Sequence, residues 1–221
     1  MIESGQVIVR GIPTPKPASL VDTGTPIEIA GPEHVGRGYF KLEEALKTFE
    51  IDVAGLSALD AGASTGGFTE CLLDVGVSSV IAVDVGYGQL HPKLASDPRV
   101  KVLDRTNIRY LNSAEIGTVD LVVADLSFIS LCTVANALAD LTCAGGSLVV
   151  LVKPQFEVGK EKIGGTGVVR DESARSAAVS KVRECFGAQG LTHRGTVESP
   201  IRGAKGNVEY LMWFEKNRSG E

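Results

Sequence analysis

The stretch that decides the fold is Leu59-Asp60-Ala61-Gly62-Ala63-Ser64-Thr65-Gly66-Gly67-Phe68-Thr69. It follows a short apolar run and leads into an apolar segment at residues 70–75. This order predicts a strand, a glycine-rich turn and a helix. Glycines permit positive φ and let bare backbone approach a ligand, and the free N–H groups at a helix start attract anionic groups. The turn is predicted to hold a ligand, with a simple helix cap as the alternative.

The glycine spacing disfavours two common nucleotide-binding turns. Gly62, Gly66 and Gly67 do not fit G-x-G-x-x-G, and no Gly-Lys-Ser/Thr follows to make a P-loop. Asp60 at the strand end suits an ammonium group, and Asp84 lies about 20 residues beyond the turn, where such folds place a carboxylate on ribose. These features favour S-adenosylmethionine over NAD. Two alternatives remain. Asp60 and Asp84 could be solvated residues at strand ends without a ligand, or the protein could be an NAD-dependent oxidoreductase with the same architecture.

Composition bounds the class of protein. With 221 residues, 43% of them hydrophobic and 22% charged, the chain is predicted to form one globular domain with a small appendage. No apolar run approaches the ~18 residues that span a bilayer, and no secretory signal begins the sequence, so a cytoplasmic location is expected. The net charge of −5 argues against non-specific coating of nucleic acid but not against a local basic face.

The 4 cysteines and 3 histidines are scattered along the chain, and the cysteines form no CxxC pair. This spacing predicts neither a zinc site nor a disulfide framework. Buried thiols are the favoured interpretation of the cysteines, and no metal is expected.

Strands and helices are predicted to alternate after the glycine turn. Strands are predicted at residues 79–85, 100–103, 119–124 and 147–152, and helices at residues 134–141 and 172–188. Apolar runs without strict alternation indicate an α/β fold with a doubly wound, mostly parallel sheet that is covered on both faces. Two late runs, at residues 193–197 and 207–214, predict a closing antiparallel hairpin.

The amino end differs from the rest of the chain. In residues 1–30, short β-runs separated by proline and glycine predict a small hairpin-like module, and residues 31–36 are predicted to be a linker. A helical pattern begins at residue 36 and leaves Lys41, Glu44 and Lys47 off its apolar face.

The candidate site follows from the rule that ligands bind beyond the carboxyl ends of the strands. The strand ends supply Asp60, Asp84, Asp104, Asp125 and Lys153, and the following loops supply Asn107, Ser127, Phe128, Pro154 and Gln155. Asp125 and Lys153 each follow a buried run directly and should lie on neighbouring strands. An ion pair that only closes the rim of the sheet would also explain these two residues.

A lysine that acts as a base must lose its charge, which a second nearby cation promotes, and an acid must orient it. Lys41 could be that cation if its helix folds back over the sheet edge, and Glu209 could be a further acid. Taken singly, a solvated helix lysine and an edge-strand charge are the simpler interpretations of Lys41 and Glu209.

Six short motifs occur in order between residues 36 and 214. They are GYFKL at 38–42, DAGASTGGFT at 60–69, DVGYGQL at 84–90, ADLSFIS at 124–130, VKPQFE at 152–157 and GNVEY at 206–210. Together they resemble the TlyA, or haemolysin A, family of rRNA ribose methyltransferases, whose catalytic domain is similar to FtsJ-type enzymes. The resemblance implies a class I S-adenosylmethionine-dependent methyltransferase domain over residues 37–221. It also implies methylation of a 2′-hydroxyl, cytidine being the expected nucleotide, in ribosomal RNA or ribosomal subunits.

The resemblance also implies roles for particular residues. The Lys-Asp-Lys-Glu tetrad of the FtsJ-type enzymes falls on Lys41, Asp125, Lys153 and Glu209. In this arrangement Lys153 would take or relay the hydroxyl proton, held by the two acids. The implied cofactor-binding residues are Asp60, Gly62, Ser64, Thr65, Gly66, Gly67, Phe68 and Thr69 in the turn, Asp84 and Val85 on the ribose side, and Asp104, Arg105, Thr106 and Asn107 on the adenine side, together with Asp125.

Contacts to RNA are expected from loops at the same edge. The candidates are Arg37, Lys160, Lys162, Arg170, Arg202 and Lys205, although scattered solvated charges explain them almost as well. Residues 1–30 are expected to be a partial αL-type RNA-binding module, because residues 5–29 resemble its later, β-rich half and the helices that precede it in the family are absent from this sequence. A haemolysin-like cytotoxin or a non-enzymatic RNA-binding protein is the alternative from another class.

Overall fold

The computed structural model describes residues 2, 7–9, 12, 15–29, 34–159, 163, 167–203 and 205–218. Strands β1 (Val7–Val9) and β2 (Ile27–Ile29) pair antiparallel in a separate sheet. The main sheet contains β3 (Ser57–Ala61), β4 (Ser79–Val83), β5 (Val100–Leu103), β6 (Val119–Ala124), β7 (Thr142–Val152), β8 (Leu191–Glu198) and β9 (Tyr210–Lys216).

The seven strands of the main sheet lie in the order β5-β4-β3-β6-β7-β9-β8. The first five are parallel, and β9 runs antiparallel to both of its neighbours. The predicted doubly wound, mostly parallel sheet and its late antiparallel pair are thus confirmed. The strand order reverses between β3 and β6, and ligands of open α/β sheets bind in the crevice at such a switch point.

Helices cover both faces of the main sheet. They are α1 (Gly38–Thr48), α2 (Gly67–Asp74), α3 (Pro92–Ala95), α4 (Ser113–Ile116), α5 (Leu131–Leu141), α6 (Pro154–Glu157) and α7 (Glu172–Gly187). One core joins α1 and α2 to the sheet and another joins α5 and α7 to its opposite face. Neighbouring residues of one strand, such as Leu121 and Val122, enter different cores and are both fully buried. This is why the parallel strands are apolar without alternation.

Strand register brings the charged strand ends together. Ala61 pairs with Ala124, so Gly62 and Asp125 leave the sheet side by side. Val152 pairs with Tyr210, so Lys153 and Glu209 lie next to each other at the same edge. The sheet therefore places these groups at one end of the molecule.

Two expectations are wrong. The helical pattern leaves Lys41 off the apolar face of its helix, but the residue is only 8% exposed, because the carboxylate of Glu209 neutralises it inside the protein. Cys132 and Cys185 form a disulfide between α5 and α7 rather than staying free thiols. They are separated by 53 residues, and only the packing of the two helices brings them together.

Candidate active site

The glycine-rich turn passes unusually close to the end of the neighbouring strand. Gly62 has φ of 85°, and a Cβ atom placed on it would lie 2.6 Å from the carbonyl oxygen of Asp125. Gly67 is equally confined, since its Cβ would lie 2.9 Å from the Tyr39 nitrogen. Gly66 has φ of 103° and caps the start of α2. Bare backbone therefore forms the floor of the crevice at the switch point.

Asp84 joins the glycine turn to the loop after β4. One of its oxygens accepts a hydrogen bond from the Ser64 nitrogen at 2.8 Å, and the other accepts one from the Gly86 nitrogen at 2.7 Å. Ser64 has φ of 48°, an uncommon conformation for a residue with a side chain. The carboxylate fixes both loops and keeps its remaining lone pairs for a ligand.

A cavity of about 470 Å³ lies beside Asp84. Of the predicted cofactor-binding residues, Gly62, Ser64, Asp84, Val85, Thr106, Asn107 and Asp125 line it. Ile108, Leu126 and Ile129 add apolar surface. Asp104 and Arg105 lie nearby: Asp104 accepts a hydrogen bond from the Gly88 nitrogen, and the Arg105 guanidinium stacks 4.4 Å from the centre of the Tyr87 ring. An apolar slot with an acid at one side suits a nucleoside.

Asp60 is buried beneath the turn and is not among the residues that line this cavity. It is fully buried, and one of its oxygens accepts a hydrogen bond from the Thr69 hydroxyl at 2.7 Å. The other oxygen has no donor among the residues that the structure describes. Burial raises the pKa of Asp60 to about 7, an effect that the Thr69 hydrogen bond offsets only in part.

Asp60 should make stability depend on pH. The folded protein keeps this proton up to about pH 7, whereas the unfolded chain loses it near 3.8. Between these values the folded state binds more protons, so the free energy of unfolding should fall as pH rises. From pH 5 to pH 8 we expect a loss of roughly 2–3 kcal/mol from this group, measured by urea unfolding. The Asp60→Asn variant should lack this pH-dependent part of the free energy of unfolding, whereas a variant at an exposed residue, Asp74→Asn, should keep it. Equal pH dependence in the wild-type protein and both variants would contradict the assignment to Asp60.

The four charged residues of the predicted tetrad form two ion pairs. Lys41 Nζ lies 2.6 Å from Glu209 Oε2, and the side chains of both residues are at least nine-tenths buried. Lys153 Nζ lies 2.5 Å from Asp125 Oδ1 and donates to the Ser127 hydroxyl at 2.8 Å. Glu209 thus pairs with Lys41, whereas the resemblance implied that it helps to hold Lys153.

A second cavity, of about 270 Å³, brings the two ion pairs together. Lys41, Asp125, Lys153 and Glu209 line it with Gly62, Ser64, Thr65, Gly67 and Phe68 of the turn. Asp125 also lines the larger cavity. The lysine and acid pairs therefore face the part of the crevice that adjoins the nucleoside-shaped slot.

The predicted RNA-binding residues divide into three groups. Arg37 lines the second cavity, and Lys205 lines a third one, of about 360 Å³. Arg170 is exposed, and Arg202 pairs with Glu198 at 3.3 Å. Lys160 and Lys162 lie outside the described residues.

Two buried glutamates that sequence reasoning missed hold the loops of the site. Glu157 is 5% exposed and accepts hydrogen bonds from the Ser130 hydroxyl and the Leu131 nitrogen, which fixes the loop after Asp125. Glu70 is 3% exposed and accepts one from the Val35 nitrogen, which fixes the chain before α1. For both glutamates, the only indication in the sequence is an acidic residue next to apolar neighbours.

Within the described ranges, no group of His, Cys, Asp or Glu side chains could hold a metal ion. In the same part of the chain no helix has the length and apolar character needed to cross a membrane.

Comparison with known proteins adds three relationships. Residues 34–216 match the family model for FtsJ-like methyltransferases. The chain is 50% identical over 218 residues to a Mycobacterium tuberculosis protein named 16S/23S rRNA (cytidine-2′-O)-methyltransferase TlyA, covering 97% of this chain and 81% of that protein. It is 38% identical over 223 residues to a Brachyspira hyodysenteriae protein named Hemolysin A, covering 97% and 90%.

A solved structure from Streptococcus thermophilus is also similar. It superimposes with a TM-score of 0.83 at 39% identity, covering 98% of this chain and 80% of the other. The similarity in both sequence and structure extends over nearly the whole chain.

Proposed function

Since this chain belongs to the TlyA family of FtsJ-like methyltransferases, we propose that it methylates ribosomal RNA with S-adenosylmethionine as the methyl donor. The acceptor that we propose is the 2′-hydroxyl of a cytidine. The observation that carries the proposal is the meeting of two lysine-acid pairs beside a glycine-floored crevice. The Mycobacterium tuberculosis relative bears the name of this activity.

The residues of the crevice fit S-adenosylmethionine. Its adenosine half matches the apolar slot beside Asp84, and its amino-acid half matches the bare backbone of the turn, where a Cβ atom on Gly62 or Gly67 would intrude. Among the described residues Asp84 hydrogen-bonds backbone N–H groups, whereas the carboxylates of Asp125 and Glu209 are each paired with a lysine. Asp84 is therefore the acid of this region that suits a ligand with a positive sulfur and an ammonium group. Bound there, S-adenosylmethionine supplies an electrophilic methyl group.

Lys153 is the residue that we assign to the acceptor hydroxyl. Its nitrogen lines the cavity, and Asp125 and Ser127 fix its position through contacts of 2.5 and 2.8 Å. To act as the base, Lys153 must first release the proton of its ammonium group to solvent. The neutral Nζ then accepts the hydroxyl proton and leaves a more nucleophilic oxygen. The Lys41–Glu209 pair holds α1 and the start of β9 against this point, so that the oxygen approaches along one direction.

A nucleotide can reach Lys153 only when its ribose enters the recessed cavity. A base-paired ribose is held away from such a site, so single-stranded or flipped-out nucleotides are the targets we propose. Arg37 and Lys205, at the rims of two cavities, are placed to contact the phosphates.

The proposed function is tested with S-adenosylmethionine that carries a labelled methyl group. Purified 30S and 50S ribosomal subunits from cells that lack this modification are incubated with the protein, and their RNA is then isolated. Label in the RNA of at least one subunit is the expected result. Absence of label from both, although calorimetry shows that S-adenosylmethionine binds, would contradict the proposed substrate.

Gly62→Ala should weaken S-adenosylmethionine binding at least about tenfold, equivalent to ~1.4 kcal/mol, as measured by calorimetry. The added Cβ atom would collide with the Asp125 carbonyl and push the turn into the crevice. Gly76→Ala is the matched control, because Gly76 has a similar φ of 90° but open space around its Cβ position. Equal affinity in the two variants would show that the close approach at Gly62 is not used for binding.

A further inference from the structure

The third cavity, of about 360 Å³, is not needed for the methyl donor. It shares Ser127, Lys153 and Glu209 with the 270 Å³ cavity and adjoins the slot beside Asp84 at Ser127 and Phe128. The part that neither of the other cavities contains is lined by Gln155, Phe156 and Asn207, among others. In the proposed function the donor takes the slot beside Asp84 and the side of the 270 Å³ cavity that the glycine turn forms, and the acceptor ribose enters the same cavity at Lys153. A group in the third cavity would lie next to Lys153, which lines both cavities. Its volume lies in the range of small-ligand pockets.

The walls of this cavity suit a flat, partly polar ring. The rings of Phe128 and Phe156 have centres 5.4 Å apart and lie at 50° to each other. Phe128 is 92% exposed and has φ of 67°, so a strained backbone holds an apolar ring out at the cavity rim. Aromatic side chains next to a recessed site are typical of proteins that take up a single unstacked nucleobase.

Gln155 provides the polar group of this cavity. It lines the wall, and its side-chain oxygen is buried without a hydrogen-bond donor among the described residues. A buried acceptor with no partner is costly, so a ligand that brings a donor gains from binding there.

Gln155 is also coupled rigidly to Lys153. Only Pro154 separates them, and the Phe156 nitrogen donates to the Lys153 carbonyl at 2.9 Å, so that all four residues form the first turn of α6. A contact made by Gln155 therefore fixes the position of a ligand relative to Lys153 Nζ.

The back of the cavity is held by Asn207. This residue is 2% exposed, and its side-chain amide accepts from the Val169 nitrogen and donates to the Gly167 carbonyl. These bonds tie the described segment 167–169 to the chain that leads to Glu209. The cavity is thus a built pocket rather than a gap between loops.

We propose that the third cavity binds the base of the acceptor nucleotide and that the Gln155 amide reads the edge of that base. This inference rests on the proposed function, which places the ribose at Lys153. Cytosine presents an amino donor next to a ring-nitrogen acceptor, and one orientation of the amide pairs with both. Uracil presents the opposite order. The buried side-chain oxygen of Gln155 would accept from the amino group of cytosine but would face the carbonyl oxygen of uracil without a bond, which discriminates between the two pyrimidines.

The test uses the ribosomal subunit labelled in the assay above, after the labelled nucleotide has been mapped. Subunits are reconstituted with transcribed RNA that carries either cytidine or uridine at that position, and kcat/KM is measured for each. The wild-type protein should prefer cytidine at least about tenfold, the discrimination expected from one good bidentate contact to a base. Gln155→Leu should lose this preference and keep its affinity for S-adenosylmethionine. Gln155→Asn, which retains the amide, should lower kcat/KM but keep part of the preference.

Gln189→Leu is the matched control, because Gln189 follows α7 at the opposite end of the sheet, and it should behave as wild type. A wild-type protein without base preference, or a Gln155→Leu variant with unchanged preference and rate, would overturn the inference. If the wild-type protein labels no subunit, the proposed function fails instead, and the two failures are thereby distinguished.

Discussion

Lys153→Ala should lower the rate of methyl transfer by about 10²–10⁴-fold, the usual contribution of a positioned acid or base. The variant loses the nitrogen that receives the hydroxyl proton. Its affinity for S-adenosylmethionine should not fall, because the freed Asp125 carboxylate adds negative charge beside a positively charged ligand. Single-turnover transfer to ribosomal subunits measures the rate, and calorimetry measures the affinity.

Lys47→Ala is the matched control for that experiment, because it removes an exposed lysine from α1. It should leave both quantities unchanged. A Lys153→Ala protein that is folded, binds S-adenosylmethionine and transfers methyl within about threefold of the wild-type rate would remove Lys153 from the mechanism. A threefold deficit is about 0.7 kcal/mol of activation free energy, which is too small for an acid–base role.

The second large effect is on stability. Glu209→Leu should lower the free energy of unfolding by about 3–5 kcal/mol, because it leaves the Lys41 ammonium buried without its partner. Lys41→Met should have a comparable effect by leaving the Glu209 carboxylate unpaired. Urea unfolding followed by circular dichroism measures both.

The double variant Lys41→Met/Glu209→Leu separates stability from activity. Replacing a whole buried ion pair with apolar groups is often neutral or stabilising, so the double variant should recover most of the lost free energy. It should still transfer methyl poorly, because the charged pair that shapes the cavity is gone. If the double variant instead loses as much free energy of unfolding as the two single variants lose together, the two side chains do not interact.

Much of the fold followed from local patterns. The apolar runs indicated a sheet covered on both faces, and the sheet order with the match to FtsJ-like methyltransferases confirms a class I S-adenosylmethionine-dependent methyltransferase type of fold. The family match also disfavours the NAD-dependent oxidoreductase. Asp125 and Lys153 were found because strand ends can be located from sequence, and parallel strands end at the same edge.

The pairing within the site could not be obtained in this way. Lys41 and Glu209 are 168 residues apart, and their contact depends on how α1 folds over the sheet and on where β9 inserts. Helical periodicity even assigned Lys41 to the polar face, because periodicity does not reveal a distant partner that neutralises a buried charge. The Cys132–Cys185 pair was missed for the same reason.

Chain geometry also decided how the cofactor-binding candidates are arranged. Asp60 was expected to meet a ligand directly, but the structure buries it under the turn beside Thr69. Its position at the end of a strand was visible in the sequence. Whether the side chain faces the crevice or the core depends on the pleat and on Gly62 reversing the backbone, which residue identity does not show.

The most direct test of the central claim is the chemical position of the transferred methyl group. RNA labelled by the protein is hydrolysed in alkali, which cleaves next to every free 2′-hydroxyl, and the products are separated by size. The account predicts that the label resides in an alkali-stable dinucleotide and that Lys153→Ala abolishes it. Label recovered in mononucleotides, as methyl on a base, would contradict the assignment of Lys153 and its neighbours to a ribose hydroxyl.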